Sequence, residues 1–218
     1  MDIKIDENTV IVFDLDDTLY NEVDYLRSAY ITLAKELEPK NWKHLFSILF
    51  SLYRNKENAF QFINEKYEIN KEELIVQYRT HIPNITPFEG VIENFQQIKK
   101  KNGKIGVLTD GRSITQRNKL KSLGLLPFID HIVISEEIGT EKPNEANFKF
   151  IENKFPSNTY YYIGDNFKKD FITPNRLGWS TIALVDNGLN IHSNSNKYTT
   201  EAHLPQHYIF SIQELNFI

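Results

Sequence analysis

The chain has 218 residues, 40% of them hydrophobic, and a formal charge of −4. That length suits one large domain, or one domain carrying a smaller insert, and the apolar content is enough for a real core. The charge excludes a general attraction to nucleic acid or an anionic membrane; the lack of cysteine excludes disulfides, thiol chemistry and thiolate metal sites.

Met1-Asp2-Ile3-Lys4-Ile5-Asp6-Glu7 is charged and has no basic segment with an apolar stretch behind it, so it does not read as a signal peptide. The most apolar later stretch, Leu45 to Tyr53, is too short to span a bilayer, and a cytoplasmic protein is expected. Val10-Ile11-Val12-Phe13 reads as a strand buried on both faces, and it breaks into Asp14-Leu15-Asp16-Asp17-Thr18-Leu19. Carboxylates that close repel one another and call for a cation, for which a hard divalent metal with oxygen ligands is the candidate. A calcium loop of the EF-hand type fails, because Leu19 stands where that loop needs Gly and Tyr25 where it needs Glu.

From Asn21 to about His81 the pattern is helical. Leu26, Ala29, Tyr30, Leu33 and Leu37 mark one helix, ending before Pro39; Leu45, Ile48, Leu49 and Leu52 mark a second. Ala59, Phe60, Phe62, Ile63 and Tyr67 mark a third, and Asn70 with Glu73 opens a fourth through Leu74, Ile75 and Tyr78. Pro83 to Pro87 breaks the pattern.

Beyond it the chain alternates. Glu89 to Lys101 is a helix with a C-cap signal at Asn102-Gly103, and Lys104 to Leu108 a strand entering Thr109-Asp110-Gly111-Arg112. Ser113 with Gln116 reads as a capping box for a helix to Leu123, closed by Gly124. His131 to Ser135 is a strand, and Lys142-Pro143 leads into a helix over Ala146 to Phe155. Tyr160 to Ile163 is a strand entering Gly164-Asp165, a helix reaches Gly178, and Thr181 to Val185 is a further strand. Asn187 to Thr200, rich in Asn and Ser, is expected to be a mobile surface loop, and His207 to Phe210 a last edge strand.

This alternation specifies an α/β fold: a doubly wound, Rossmann-like parallel sheet, here with a small all-helical insert. The division expected is a core of residues 1–19 and 88–218 and a helical segment of 20–87. Ligands of such sheets bind outside the carboxyl ends of the strands, near the topological switch point. Asp14, Thr109 and Asp165 each follow an apolar strand and so belong to one edge, with Lys142 preceding a helix that returns to the same sheet. Singly, Thr109 reads as a turn cap and Lys142 as a solvated lysine; together the four fit phosphoryl transfer, with a carboxylate as nucleophile. No Gly-x-Gly-x-x-Gly follows a strand and no Walker-type Gly-Lys-Ser is present, so a nucleoside triphosphate is not indicated.

Asp14-Leu15-Asp16-Asp17-Thr18-Leu19, Leu108-Thr109-Asp110-Gly111, Glu141-Lys142-Pro143 and Gly164-Asp165 with Asp170 resemble, in order, the four motifs of the haloacid dehalogenase-like hydrolase superfamily. The resemblance covers essentially the whole chain, and makes the helical segment 20–87 the cap of such enzymes. It implies a phosphatase acting on a small phosphorylated metabolite, with Asp14 as nucleophile and Asp16 protonating the leaving group and then activating water. It implies Mg²⁺ held by the Asp14 carboxylate, the Asp16 carbonyl and Asp165, with Asp170 supporting the metal's water shell or Lys142. Thr109, the N–H groups of Asp110 and Gly111, and Lys142 would hold the phosphoryl oxygens. Asp110 departs from the Asn of many relatives, and its side chain is expected to point away from the phosphate.

Dehalogenases of the superfamily lack an acid at the Asp16 position, which favours phosphate esters; a phosphomutase uses the same two aspartates and is the alternative. A signalling receiver domain is a rival reading, but there the acidic residues all precede the Thr and Lys, and no helical insert splits the set. A binding protein that keeps the fold without activity is the other rival. Arg27, His44, Tyr53 and Arg54 in the helical segment read as surface or packing residues. Nothing in the sequence specifies an oligomeric state.

Overall fold

The computed structural model describes residues 1–156 and 159–218. In chain order its elements are β1 (Asp2–Ile3), β2 (Thr9–Phe13), α1 (Glu22–Leu37), α2 (Trp42–Arg54), α3 (Ala59–Tyr67), α4 (Lys71–Thr80), α5 (Val91–Lys100), β3 (Lys104–Thr109) and α6 (Ser113–Ser122). Then follow β4 (His131–Ile134), α7 (Ser135–Ile138), α8 (Glu145–Lys154), β5 (Thr159–Gly164), α9 (Ile172–Arg176), β6 (Ser180–Leu184), β7 (His207–Ile209) and β8 (Asn216–Phe217).

Six strands form a parallel sheet in the order β4-β3-β2-β5-β6-β7. The order explains why β2 is apolar throughout: it lies between β3 and β5, and all five of its residues are buried. Its alternate side chains serve two cores. Ile11 and Phe13 pack with Val91, Phe95, Ile98 and Leu120 of α5 and α6, whereas Val10 and Val12 pack with Phe148 and Ile151 of α8 and with Phe171 and Trp179. Helices thus cover both faces, as the strand-helix alternation requires. β1 and β8 pair in a separate two-stranded sheet that the short terminal segments do not announce.

α1 to α4 build a third apolar cluster around Leu26, Tyr30, Leu33, Leu45, Leu49, Ile63 and Leu74. The chain leaves the core after Leu19 and returns at Phe88, whose N–H donates to the Leu19 carbonyl at 2.9 Å. α5 begins at Val91 and not at Glu89, because Gly90 turns with φ +89°. At its other end Asn102 takes the left-handed conformation (φ +63°), while Gly103 answers a steric need: a Cβ there would lie 2.7 Å from Ile5 and 2.8 Å from Ile98.

The capping box expected at Ser113 and Gln116 does not form. Ser113 is the first helical residue, and α6 is capped instead by α7: Glu136 accepts the Ser113 N–H at 2.7 Å and Glu137 the Ser113 hydroxyl at 2.5 Å. Two carboxylates at a helix N-terminus are a better electrostatic match than a neutral amide, which leaves Gln116 free to turn inward. Among the described residues no helix is long and apolar enough to cross a membrane.

Candidate active site

The crevice of this sheet lies where the connections from β2 and β5 diverge, and the residues just beyond the strand ends meet there. Asp14 follows β2, Thr109 ends β3 and Asp165 follows β5; Asp14, Asp16, Thr109, Asp110, Lys142 and Asp165 line a single cavity. Two expected residues stand off it. Asp170 is fully buried behind the cavity, and the Gly111 N–H, expected to face a phosphoryl oxygen, donates to Ser135 Oγ at 2.9 Å.

Lys142 is almost wholly buried and joins the set. Its Nζ lies 2.6 Å from Asp14, 2.7 Å from Asp170 and 3.0 Å from the Tyr162 hydroxyl. Burial works against its ammonium, but the two carboxylates win and hold the lysine pKa well above its usual value. One lysine does not balance the cluster. Carboxylate oxygens of Asp14, Asp165 and Asp170 lie within 4.8 Å of one another, leaving two negative charges uncompensated. Burial pushes Asp14 up to about 7 against the pull of Lys142, and burial with Asp170 and Asp14 nearby drives Asp165 well upward. The donors are hard oxygens and the deficit equals one divalent cation, so the residues present fit Mg²⁺. Asp170 is the least free to bind it, since Lys142 and Tyr162 hold one oxygen and the Asn166 N–H the other, at 2.8 Å.

Asp16 is held from three directions. Lys119 Nζ lies 2.7 and 2.8 Å from its two oxygens, Gln116 Nε2 donates at 2.8 Å and the Tyr20 hydroxyl at 2.5 Å. Burial alone would raise its pKa, but Lys119 together with the Tyr20 and Gln116 hydrogen bonds outweighs that and keeps Asp16 below the usual carboxylate value. Gln116 also donates to Thr109 Oγ1 at 2.6 Å. Asp110 lines the cavity with its carboxylate on protein donors, Lys169 Nζ at 2.8 Å and the Lys142 N–H at 3.0 Å.

Several residues at the site escaped the sequence reading. Lys169 and His192 line the cavity, as does Glu22 from the start of α1. Burial, with Asp16 next in effect, pushes the Glu22 carboxyl up to about 8. Arg27, His44, Tyr53 and Arg54 do not line it. The segment from Asn187, expected as a mobile surface loop, is tied to the site over its first residues. Asn190 Nδ2 donates to Asp165 at 2.9 Å and the Ile191 N–H to Asp17 at 2.7 Å. Of its polar side chains Asn190 is half-buried against the acidic cleft, while Ser193, Ser195, Asn196 and Thr199 stay exposed.

Asp17 (φ +56°) is buried and also accepts the Glu22 N–H at 2.7 Å, so one carboxylate pins both α1 and this segment. Asp17→Ala leaves two N–H donors without an acceptor in a left-handed position that suits Asp better than Ala. We expect a loss of about 1–3 kcal/mol, read as a melting temperature lower by roughly 2–12 °C. An unchanged thermal transition would show that water replaces the carboxylate without cost.

A family profile described as haloacid dehalogenase-like hydrolase matches residues 11–184, most of the chain. The glyceraldehyde 3-phosphate phosphatase of Methanocaldococcus jannaschii is 28% identical over 191 residues, covering 80% of this chain and 84% of the relative. The pyrimidine 5'-nucleotidase YjjG of Escherichia coli is 30% identical over 133 residues, or 60% of this chain and 55% of that protein. Among solved structures, the HAD-hydrolase YfnB from Bacillus subtilis bound to magnesium superposes with a TM-score of 0.65 at 19% identity, covering 94% of this chain and 96% of the other.

Proposed function

Because the chain belongs to the haloacid dehalogenase-like hydrolase family, we propose that it is a Mg²⁺-dependent phosphatase that cleaves a small phosphorylated metabolite through an aspartyl phosphate on Asp14. The observation that carries this is the pair Asp14 and Asp16: two carboxylates on one cavity, one beside a buried lysine and the other gripped by three donors. As a haloacid dehalogenase-like phosphatase the enzyme needs both a nucleophile and an acid, since an alkoxide, unlike a halide, leaves poorly without a proton.

In the first step an Asp14 oxygen attacks phosphorus and the bond to the ester oxygen breaks. Asp16 gives that oxygen a proton, so that an alcohol departs. In the second step water attacks the aspartyl phosphate, Asp16 takes the water proton, and Asp14 and inorganic phosphate are released. A carboxylate held ionised by Lys119 is in the form the second step needs. For the first, the negative phosphate entering beside Asp16 raises its affinity for a proton.

The Thr109 hydroxyl and the Lys142 ammonium stabilise charge on the phosphoryl oxygens. Asp14, Asp165 and the Asp16 carbonyl would hold the metal, Asp170 would support it, and Mg²⁺ when bound compensates the acidic cluster and the phosphate dianion. Helices α1 to α4 act as a cap over the cavity, to which Glu22 belongs.

The similarity to enzymes named glyceraldehyde 3-phosphate phosphatase and pyrimidine 5'-nucleotidase supports a compact phosphomonoester as substrate. Incubation with Mg²⁺ and a panel of triose, pentose and hexose phosphates and nucleoside monophosphates is expected to release inorganic phosphate from at least one. Conversion of a sugar phosphate into its isomer without phosphate release would instead mark a mutase, and no turnover of any member would remove the reading.

A further inference from the structure

α6 carries two polar side chains three residues apart on its inward face, Gln116 and Lys119, and both are buried as deeply as core residues. An ammonium without a partner in such a place costs several kcal/mol, and a leucine or methionine would pack there at no such cost. Lys119 has a partner: it spans both oxygens of Asp16 at 2.7 and 2.8 Å, with its ammonium 4.8 Å from the centre of the Tyr25 ring. Gln116 binds one of the same oxygens and the Thr109 hydroxyl with a single amide nitrogen. Gly111 makes room for that amide, since a Cβ there would come within 3.2 Å of the Gln116 side chain.

Neither Lys119 nor Gln116 lines the cavity, whereas Asp16 and Thr109 do. Their effect on a bound substrate therefore passes through those two residues. Two other polar residues of α6 engage the insert: Thr115 Oγ1 donates to the Arg79 carbonyl at 2.8 Å and Asn118 Nδ2 to the Thr80 carbonyl at 3.1 Å. The helix that orients Asp16 is thereby itself fixed against the end of α4.

We propose that Lys119 is a positioning residue for the leaving-group step, fixing the Asp16 carboxyl in register with the phosphoryl site while Gln116 ties that carboxyl to Thr109. The proposal rests on the acid–base role of Asp16 given above. A carboxyl free to rotate still exists in the site but seldom faces the bridging oxygen, and small errors of placement weigh heavily on proton transfer.

The test compares Lys119→Met, Asp16→Ala and the double variant by single-turnover phosphorylation of the Mg²⁺-loaded enzyme, with an alkyl and an aryl phosphate. Lys119→Met is expected to slow the alkyl phosphate by an appreciable part of the roughly 10²–10⁴-fold that a positioned acid contributes, with the nitrophenyl ester partly spared and KM unchanged. The double variant is expected to be no slower than Asp16→Ala alone, because a residue acting only through Asp16 has nothing left to position. Gln116→Met, which removes no charge, should show the same leaving-group signature more weakly, and serves if Lys119→Met does not fold. Equal losses for both esters, or losses that multiply in the double variant, would overturn the proposal. If Asp16→Ala leaves alkyl turnover intact, the acid–base reading fails first and the positioning role falls with it.

Discussion

Asp14→Asn lowers turnover by on the order of 10⁴–10⁶-fold, the range seen when one member of a catalytic set is removed, and leaves the fold intact. The amide is nearly isosteric with the carboxylate but is a poor nucleophile and a weak metal ligand. Lys142 keeps Asp170 at 2.7 Å and the Tyr162 hydroxyl at 3.0 Å, so the ammonium is not stranded. Stability moves the other way from activity. In wild type the Asp14 carboxyl is pushed up to about 7 by burial, so its ionised form strains the metal-free fold above neutrality. Without metal at pH 8, the Asn variant should therefore melt no lower than wild type. An acid-quenched phosphoenzyme should be detectable with wild type and absent from the variant. Near-wild-type turnover in a variant with an unchanged circular dichroism spectrum would show that another group attacks phosphorus.

Exhaustive EDTA treatment is expected to bring phosphate release to background, and readdition of Mg²⁺ to restore it. Melting curves supply a second readout. At about 100 times its dissociation constant, a ligand that binds only the folded state stabilises by about 2.7 kcal/mol, a rise of roughly 5–10 °C for a chain of this size. The gap should depend on pH with a definite sign. Folded Asp14 holds its proton up to about 7 and Asp17 up to about 6, both far above the 3.8 of a free side chain. The metal-free fold thus gains stability from them that is complete below about pH 4 and is lost as the pH rises towards 7. With Mg²⁺ bound Asp14 stays ionised and that part of the slope disappears. The difference in melting temperature with and without metal should widen from pH 5 to pH 8. Full turnover after EDTA, or a gap that does not change with pH, would contradict the assignment of Asp14 to the metal.

How much of this could be read from the chain depends on where each residue stands in it. Asp14, Thr109 and Asp165 were legible because each follows an apolar strand, and a parallel sheet brings such positions to one edge whatever their separation in sequence. The doubly wound core followed from the same alternation. Gln116 and Lys119 were not legible. Ser113-Ile114-Thr115-Gln116-Arg117-Asn118-Lys119-Leu120-Lys121 has no apolar stripe, and a helix polar on all sides reads as solvated. Capping rules moreover gave Gln116 a local partner, which it lost to Glu136 and Glu137, acids more than twenty residues further on. Asn190 was missed for a related reason: composition describes the average preference of an Asn-rich segment, and only the fold reveals that one amide meets Asp165. A helical lysine three residues after a glutamine, shortly beyond a Thr-Asp-Gly strand end, is a signal that could have been weighed.

The hydrogen bond between Phe88 and Leu19 bears on the history of the insert as well as on its geometry. An excursion that departs and re-enters at one point is a closed loop, and the entropy of closing a loop rises with the logarithm of its length, about 0.6 kcal/mol per doubling. That is less than the stabilisation from burying a single methylene, about 0.8 kcal/mol. For the sheet, a segment half or twice as long as 20–87 would be thermodynamically almost indistinguishable from the present one. The constraint on its size comes from within, since a shorter segment must still enclose the apolar cluster around Leu33, Leu45 and Ile63. A lineage could accordingly lengthen, shorten or exchange these helices while the strands below keep their register.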